Sequence, residues 1–405
     1  MSRLFIPNRP IGPRLTFPHI AAARQRATSR EASASFRDVI RRSHLPALDG
    51  MRAVAVFTVI MAHGSSPLRG VPGDLGVSAF FVLSGFLITR LLLREREETG
   101  DVSITRFYVR RTMRIFPAYY VFLFLSYFLD ARAGQQWSQP LLTNAVTYTV
   151  NYFNALHHHP TTSIAHAWSL AVEEQFYLLW PVVFVVLAAR GRRALVVGVT
   201  SMALAAAVWR SWLALATSTD VSYLYNAFDT RFDNLAVGCL LALVIDYDSV
   251  IGAAAFLARR SWSPFVTLAL LLVSRLALPH SYHYSLGFTI DALLVAVLIT
   301  QLMQLYKTRV WRWLEWPSVR YLGAISYPMY LYHQWGASFG RHLPLLGESS
   351  EFAAGVVMTV VLASGSYYIV ERPFLKLKAR YAPEKRAKTF PDQATEPAVA
   401  GLVSA

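Results

Sequence analysis

Charged and titratable side chains stand inside several apolar segments of this 405-residue chain. The first segment, LPALDGMRAVAVFTVIMAHG, holds Asp49, Arg52 and His63. At about 100° per residue, Arg52 and His63 lie on one stripe of a helix, roughly 16 Å apart. Asp49 is one turn before Arg52 and can pair with it. The stripe suits a histidine base or nucleophile; the alternative is a helix-start ion pair and an interfacial histidine.

A second polar group lies in the segment AHAWSLAVEEQFYLLWP, where Glu173 and Glu174 are adjacent. Their side chains point about 100° apart, so both cannot face lipid without a large cost. A carboxylate at this depth can orient a histidine or act as a base. The alternative is a structural pairing with Arg210 or Arg231.

Two later segments add polar residues that we expect towards the outer face. DTRFDNLAVGCLLA carries Arg231 and Asp233, and VRYLGAISYPMYLYHQWG carries Tyr330 and His333. Ser326, Tyr330 and His333 follow a helical stripe at i, i+4 and i+7.

Two further expectations concern structure rather than chemistry. Pro328 lies inside the last of these segments and should kink its helix. Arg275 and Asp291 lie in neighbouring apolar segments, and we expect them to form a structural ion pair.

The segment ITRFYVRRTMRIFPAYY predicts a basic amphipathic helix on the cytoplasmic membrane surface. Arg106, Arg110 and Arg114 recur at i, i+4 and i+8, with Arg111 beside them. Such arginines bind anionic lipid head groups or the phosphates of a cytoplasmic cofactor. Spacing alone favours lipid.

These residues need a membrane scaffold to position them. Hydrophobic residues make up 54% of the chain, charged residues only 16%, and the mean hydropathy is +0.36. This composition excludes disorder, a collagen-like fibre and a disulfide scaffold. We predict an all-α, polytopic membrane bundle with about ten transmembrane helices, near 46–64, 75–93, 115–131, 167–189, 194–217, 231–247, 262–279, 285–305, 319–339 and 351–371. Residues 139–156 are half polar and predict an interfacial or re-entrant helix.

The distribution of positive charge orients this bundle. If the N-terminus is cytoplasmic, most of the 39 basic residues fall in segments that ten spans place inside. Both termini are then cytoplasmic, and the net charge of +15 is mainly a topology signal. Nucleic-acid binding does not follow, because no basic run accompanies a recognisable motif.

The chain divides into three parts at this level. Residues 1–43 are an Arg-rich segment that we expect to be a disordered cytoplasmic tail, although its composition also resembles a transit peptide. Residues 44–378 form the transmembrane domain, and 379–405 a second disordered cytoplasmic tail. The single cysteine, Cys239, allows neither an internal disulfide nor a thiolate zinc site, and no metal-ligand spacing is present.

Six motifs in order resemble the membrane acyltransferase-3 family, which O-acylates bacterial surface polysaccharides. They are LDGMRAVAVFTVIMAH, DLGVSAFFVLSGFLIT, FYVRRTMRIFPAYY, AWSLAVEEQFYLLWP, RFDNLAVGCLLA and SYPMYLYHQW. The family's arginine–ten residues–histidine motif matches Arg52 and His63, and its RxxR motif matches Arg111 and Arg114. Many members also carry a C-terminal SGNH-hydrolase-like domain, which this sequence does not show, so a separate periplasmic partner is expected for any handover.

The resemblance implies a multi-pass protein of the bacterial inner membrane that moves an acyl group, most simply acetyl, from cytoplasmic acyl-CoA to an extracytoplasmic glycan or glycolipid. His63 would be the catalytic histidine, oriented by Glu173 or Glu174. Arg52, Arg111 and Arg114 would hold the acyl-CoA co-substrate, without a metal. The acceptor side would be lined by Asp49, Arg231, Asp233, Tyr330 and His333.

Other readings of the same residues stay open. Intramembrane Arg, Asp and His also suit a transporter or flippase for a lipid-linked or anionic substrate, and a structural partner in an envelope assembly would use them only to pair helices. Membrane lipids are expected partners in every case. Within the acyltransferase reading, lipopolysaccharide, capsule, exopolysaccharide, peptidoglycan, periplasmic glucan or a small product could be the acceptor. The sequence does not decide the oligomeric state.

Overall fold

The computed structural model describes residues 36–42, 44–64, 70–158, 162–343 and 347–378. Within these ranges every regular element is helical, as the sequence predicts. The longer helices are α1 (Pro46–His63), α2 (Gly73–Thr99), α3 (Ile104–Arg132), α4 (Gln139–Val146), α5 (Val150–Leu156), α6 (Trp168–Ala188), α7 (Arg192–Ala216), α8 (Val221–Asn226), α9 (Phe232–Val244), α10 (Asp248–Leu257), α11 (Ser263–Leu276), α12 (Phe288–Leu305), α13 (Pro317–Ala324), α14 (Ser326–Arg341), α15 (Glu348–Ser366) and α16 (Arg372–Lys378). Short π-helical segments, His283–Gly287 and Tyr367–Glu371, lead into α12 and α16.

Six helices among the described residues are long and apolar enough to cross a membrane. They are Gly73–Thr99, Ile104–Arg132, Ala165–Ala188, Arg192–Ala216, His280–Leu305 and Glu348–Leu377. Helices α9 and α10, bent by 111° at their break, would together make a seventh. The other predicted spans hold α1, α11, α13 and α14, none longer than 18 residues. The chain is a polytopic all-helical bundle, whereas the count of ten and the side of the termini stay predictions.

The bundle packs most closely where glycines let backbones approach. A side-chain carbon on Gly85 would stand 2.0 Å from the carbonyl oxygen of Leu235, and one on Gly238 would stand 2.1 Å from that of Val82. Helices α2 and α9 therefore touch backbone to backbone. A side-chain carbon on Gly336 of α14 would stand 2.0 Å from the hydroxyl oxygen of Thr359 and 2.5 Å from the carbonyl oxygen of Gly355, both on α15.

The basic segment and the third predicted span form one helix rather than two. Helix α3 runs unbroken through Pro117, and Ser103 caps its start by accepting a hydrogen bond from the backbone of Arg106. The prediction of a separate surface helix was therefore wrong. Because α3 continues into the bundle, the later arginines of its basic stretch can face the interior.

The ninth predicted span breaks at Ile325, between α13 and α14. Pro328 has no N–H to donate to the carbonyl of Ala324, and its ring crowds that carbonyl. The helix is thus interrupted one turn before the proline for which a kink is predicted. The part after the break, α14, carries Tyr330 and His333.

Residues 139–156 form two short helices, α4 and α5, as a hairpin against α3 and α6. The hydroxyl of Tyr119 donates to the carbonyl of Ala145 at 2.7 Å, and the amide of Gln175 donates to that of Tyr148 at 2.9 Å. Tyr148, at the tip of the hairpin, has a φ of 55° and stacks on Tyr119 with ring centroids 4.1 Å apart. No span-length helix forms here, as predicted.

The expectation of a disordered N-terminal tail needs one correction. Residues 36–41 form a short helix in which Phe36 and Val39 are buried. The guanidinium of Arg90 donates to the carbonyls of Ile40 and Arg42, which satisfies the end of that helix. The remainder of 1–43, apart from residue 42, and the C-terminal tail 379–405 lie outside the described residues.

Candidate functional site

A cavity of about 730 Å³, partly open to solvent, lies between α1, α2, α3, α6 and α14. Its charged lining residues are Arg52, Arg111, Arg114, Glu173 and Glu174. Hydroxyl groups come from Ser84, Ser169, Tyr177, Ser326, Tyr327 and Tyr330. We call this space the arginine cavity. It gathers five of the charged side chains that the sequence singled out, from three separate helices.

The three arginines of the cavity come from α1 and α3. The guanidinium of Arg111 stacks on the ring of Tyr177, with its carbon 3.7 Å from the ring centroid. Arg110, the preceding residue, turns away and pairs with Glu95 at 2.6 Å. Adjacent helical positions diverge by about 100°, which explains why neighbours on α3 have different partners. Three guanidinium groups that line one cavity favour a polyanionic ligand such as a phosphate ester.

Two glutamates of α6, Glu173 and Glu174, line the same cavity as these arginines. An oxygen of Glu173 accepts a hydrogen bond from Ser84 at 2.7 Å, and the other accepts one from Tyr177 at 3.5 Å. Glu174 lines both this cavity and a neighbouring groove. With all five groups ionised, the cavity carries three positive and two negative charges, so its balance stays positive.

His63 lies elsewhere, at the exposed end of α1. Its Nδ1 is 2.9 Å from the carbonyl oxygen of Val59. A ring N–H must donate in this contact, so the neutral ring carries its lone pair on Nε2, the atom that a base or nucleophile uses. The expectation that Glu173 or Glu174 orients His63 is therefore corrected, because a backbone carbonyl does so.

His63 is the first of three imidazoles in a series, which we call the histidine row. Its ring meets that of His333 edge to face, with centroids 4.9 Å apart, and His333 meets His166 at 4.7 Å. His333 and His166 are both buried. His333 lies on the helix near whose outer end it was expected, whereas no role was predicted for His166, which stands just before α6. Only the fold shows that α1, α14 and the start of α6 meet here.

Tyr330 connects the histidine row to the arginine cavity. Its hydroxyl donates to the carbonyl oxygen of His166 at 2.9 Å and lies 2.6 Å from the hydroxyl of Ser169. A phenol has one hydrogen, so Ser169 donates to Tyr330. Both residues line the cavity, and His333 follows Tyr330 by one turn on α14. The row and the cavity are thus adjacent parts of one site.

Three predicted site residues, Asp49, Asp233 and Arg231, lie outside both the cavity lining and the histidine row. Asp49 is 4.0 Å from Arg52 and 3.0 Å from His44. Asp233 is fully buried, pairs with Arg210 at 2.9 Å and accepts from Thr289 at 2.6 Å. This closed ion pair differs from the expected acceptor-facing position, because the two charges neutralise each other away from solvent.

Arg231 is also fully buried, inside a box of aromatic rings. Its guanidinium carbon is 3.6 Å from the ring centroid of Phe288 and 5.4 Å from that of Trp168. The expected pair of Arg275 and Asp291 is present, at 2.6 Å. In the part of the chain that the structure describes, no group of three His, Cys, Asp or Glu side chains could hold a metal ion.

A second opening, the lateral groove, has a volume of about 880 Å³ and shares Arg111, Glu174 and Tyr177 with the arginine cavity. The hairpin tip supplies Tyr148, and the exposed Leu178 marks its outer edge. Burial raises the pKa of the Tyr148 hydroxyl, which is therefore neutral. The two spaces give the cavity an access route along the side of the bundle.

Comparison with known proteins agrees with this architecture. Residues 45–368 match the family described as "Acyltransferase domain". "Peptidoglycan O-acetyltransferase OatA" of Listeria monocytogenes is 28% identical over 356 residues, covering 83% of this chain and 56% of that protein. "Putative peptidoglycan O-acetyltransferase YrhL" of Bacillus subtilis is 29% identical over 360 residues, covering 82% and 55%. The chain thus spans little more than half the length of these curated relatives, and no solved structure matches it.

Proposed function

The chain belongs to the acyltransferase family that it matches over residues 45–368, and we propose that it is a membrane O-acyltransferase. The donor is acyl-CoA, most simply acetyl-CoA, taken from the cytoplasm. The acceptor is a hydroxyl of an extracytoplasmic envelope glycan. The names of the curated relatives make peptidoglycan the first acceptor to test. The proposed location is the bacterial inner membrane.

The observation that carries this proposal is the arginine cavity and its connection to the histidine row. Arg52, Arg111 and Arg114 provide the guanidinium groups that phosphates and pyrophosphates bind well. Tyr330 and Ser169 border the cavity on the side of the histidine row. A donor held by its phosphates at the arginines would extend its thioester towards the histidines.

The chemistry at His63 can follow one of two routes. As a general base, Nε2 removes the acceptor proton while the oxygen attacks the acyl carbon. As a nucleophile, Nε2 takes the acyl group first and passes it to the acceptor. In both, the carbon–sulfur bond of the thioester breaks, a carbon–oxygen bond forms, and CoA leaves as the thiolate. The Val59 carbonyl keeps Nε2 free of its proton at the start of either route.

The test measures CoA release and transfer of labelled acetate to peptidoglycan by the purified protein in liposomes. We expect His63→Ala to lower the rate by about 10²–10⁴-fold, the range for loss of a general base. His342→Ala is the matched control, because His342 also contacts a backbone carbonyl through Nδ1, at 2.8 Å, but lies outside the row. Full turnover by His63→Ala would remove His63 from the mechanism. Substrate movement by wild type without thioester cleavage would instead favour a transporter.

A further inference from the structure

The middle member of the histidine row, His333, is the buried residue whose chemistry remains unassigned. Only 1% of its surface is exposed, and its Nδ1 is 2.6 Å from the carbonyl oxygen of Tyr330. That contact requires an N–H on Nδ1, which places the lone pair on Nε2. Among the described residues, no hydrogen-bond partner reaches Nε2. A buried hydrogen-bond acceptor without a partner lowers the stability of the protein, so the unpaired Nε2 of His333 suggests a functional role.

The position of His333 beside His63 suggests that use. Both rings hold their Nδ1 hydrogen on a backbone carbonyl, of Val59 and of Tyr330. Each therefore presents Nε2 as its basic atom. The rings meet edge to face with centroids 4.9 Å apart, so a proton can pass between them directly or through one water molecule.

We propose that His333 holds the proton that is released from the acceptor hydroxyl, acting with His63 as one proton-holding pair. This proposal rests on the function proposed above and adds a second catalytic base to it. His166, whose Nε2 is 3.1 Å from the carbonyl oxygen of Leu331, packs against the opposite side of His333 and acts as a positioning residue.

The proton balance differs between the two routes but needs His333 in each. In direct transfer, the acceptor O–H bond breaks, the proton passes to Nε2 of His63, and it is then shared with Nε2 of His333. In the covalent route, Nε2 of His63 carries the acyl group and cannot accept a proton, so the adjacent Nε2 of His333 takes it. CoA leaves as the thiolate and is protonated in the cytoplasm. The pair returns its proton to water through the exposed His63.

Burial and the neighbouring imidazoles oppose a positive charge on His333 alone, so the pair holds at most one proton, which His333 shares with the exposed His63. Its titratable neighbours are His63 on α1, His166 before α6 and Tyr330 on its own helix. Arg341 donates to the carbonyl of His63 at 3.4 Å. No carboxylate takes part in these contacts among the described residues, so nothing there stabilises two positive imidazolium rings side by side.

The first experiment compares wild type with His333→Asn and His333→Gln. Asn keeps an N–H near Nδ1 for the Tyr330 carbonyl but has no titratable nitrogen, and Gln keeps a polar atom near Nε2 without basicity. We expect both variants to lower kcat by about 10²-fold and to leave the KM for acetyl-CoA unchanged. The pH–rate profile should show one ionisation fewer, because each variant lacks the titratable nitrogen of His333. His342→Gln is the control on the same side of the bundle. A His333→Asn protein with wild-type kcat and pH profile would overturn the proposal, because it would leave only a structural role.

A second measurement does not depend on activity. Nitrogen NMR of histidine-labelled wild type at low pH should show a scalar coupling between nitrogens of His63 and His333 across a shared proton, and His333→Asn should abolish it. Absence of that coupling in wild type would refute the pair even if the protein transferred no acetyl group at all. If the wild-type protein itself transfers no acetyl group, the result counts against the proposed function rather than against the histidine pair. If neither variant folds, the rate of the wild-type protein can be measured in mixtures of H₂O and D₂O. We expect two protons to move in the transition state, and a single moving proton would contradict the pair.

Discussion

At the residue scale, the arginines of α3 show how one turn of helix divides its side chains between two tasks. Arg110 pairs with Glu95, a buried carboxylate of α2, whereas Arg111 lies on the ring of Tyr177 in the cavity. Arg114 joins Arg111 in the cavity lining, one turn further into the bundle. The i, i+3 spacing therefore selects the two arginines that share the cavity.

This division predicts which arginines affect donor affinity. Arg111→Gln and Arg114→Gln should each raise the KM for acetyl-CoA roughly tenfold or more, since each removes a charge-assisted hydrogen bond to the donor. Arg106→Gln makes the same charge change at an exposed position of α3 and should leave the KM unchanged. Initial rates over a range of acetyl-CoA concentrations give the comparison. Equal effects of all three changes would show that only the overall charge of the helix matters.

At the element scale, the α4–α5 hairpin is held by its tip. The ring of Tyr148 is stacked between Tyr119 and Phe116, with centroids 4.1 and 5.3 Å away. The backbone of Tyr148 is left-handed, a conformation that a bulky residue adopts only at a cost. Stacking and the hydrogen bond from Gln175 offset that cost. The tip thus stays rigid at the wall of the lateral groove.

Two substitutions of Tyr148 distinguish the contribution of its ring to stability from that of its hydroxyl. Tyr148→Ala should destabilise the protein by about 3–5 kcal/mol, as loss of a buried aromatic ring does. Tyr148→Phe should be neutral or stabilising, because no hydrogen-bond partner reaches the Tyr148 hydroxyl among the described residues. Thermal unfolding in detergent measures both. A strongly destabilised Tyr148→Phe would reveal a partner for the hydroxyl.

At the scale of the whole molecule, the arginine cavity and the histidine row occupy different levels of one bundle. Helix α1 carries Arg52 in the arginine cavity and His63 at its exposed end, roughly 16 Å further along the axis. Tyr330 on α14 bridges the two levels. This arrangement suits a reaction whose donor and acceptor approach from opposite faces of the membrane.

The two faces can be assigned by labelling. Asp101→Cys lies in the exposed turn before α3, and Gln136→Cys lies in the exposed segment after it. A membrane-impermeant maleimide on intact cells should label the second but not the first. The native Cys239 is fully buried and should not react with the maleimide in either variant. Labelling of both introduced cysteines from outside would contradict a membrane-crossing α3 and the predicted orientation.

The helical class of the chain, its family and several residues of its main cavity could all be predicted from local patterns in the sequence. Helical periodicity and apolar composition predicted the all-α bundle, and six ordered motifs predicted the family that the comparison shows. The family's two arginine motifs singled out Arg52, Arg111 and Arg114, side chains that do share one cavity. Such features need only the geometry of single helices, which a sequence repeats every 3.6 residues.

The contacts between helices could be learned only from the tertiary structure. Glu173 bonds to Ser84 of α2 rather than to His63, and His166, without a signal of its own, completes the histidine row. The helices also depart from the apolar segments of the sequence in where they begin and end, since a bend between α9 and α10 and a break at Ile325 interrupt two of those segments. Contacts between residues more than 80 or 160 positions apart depend on backbone approach between helices, which no local pattern specifies.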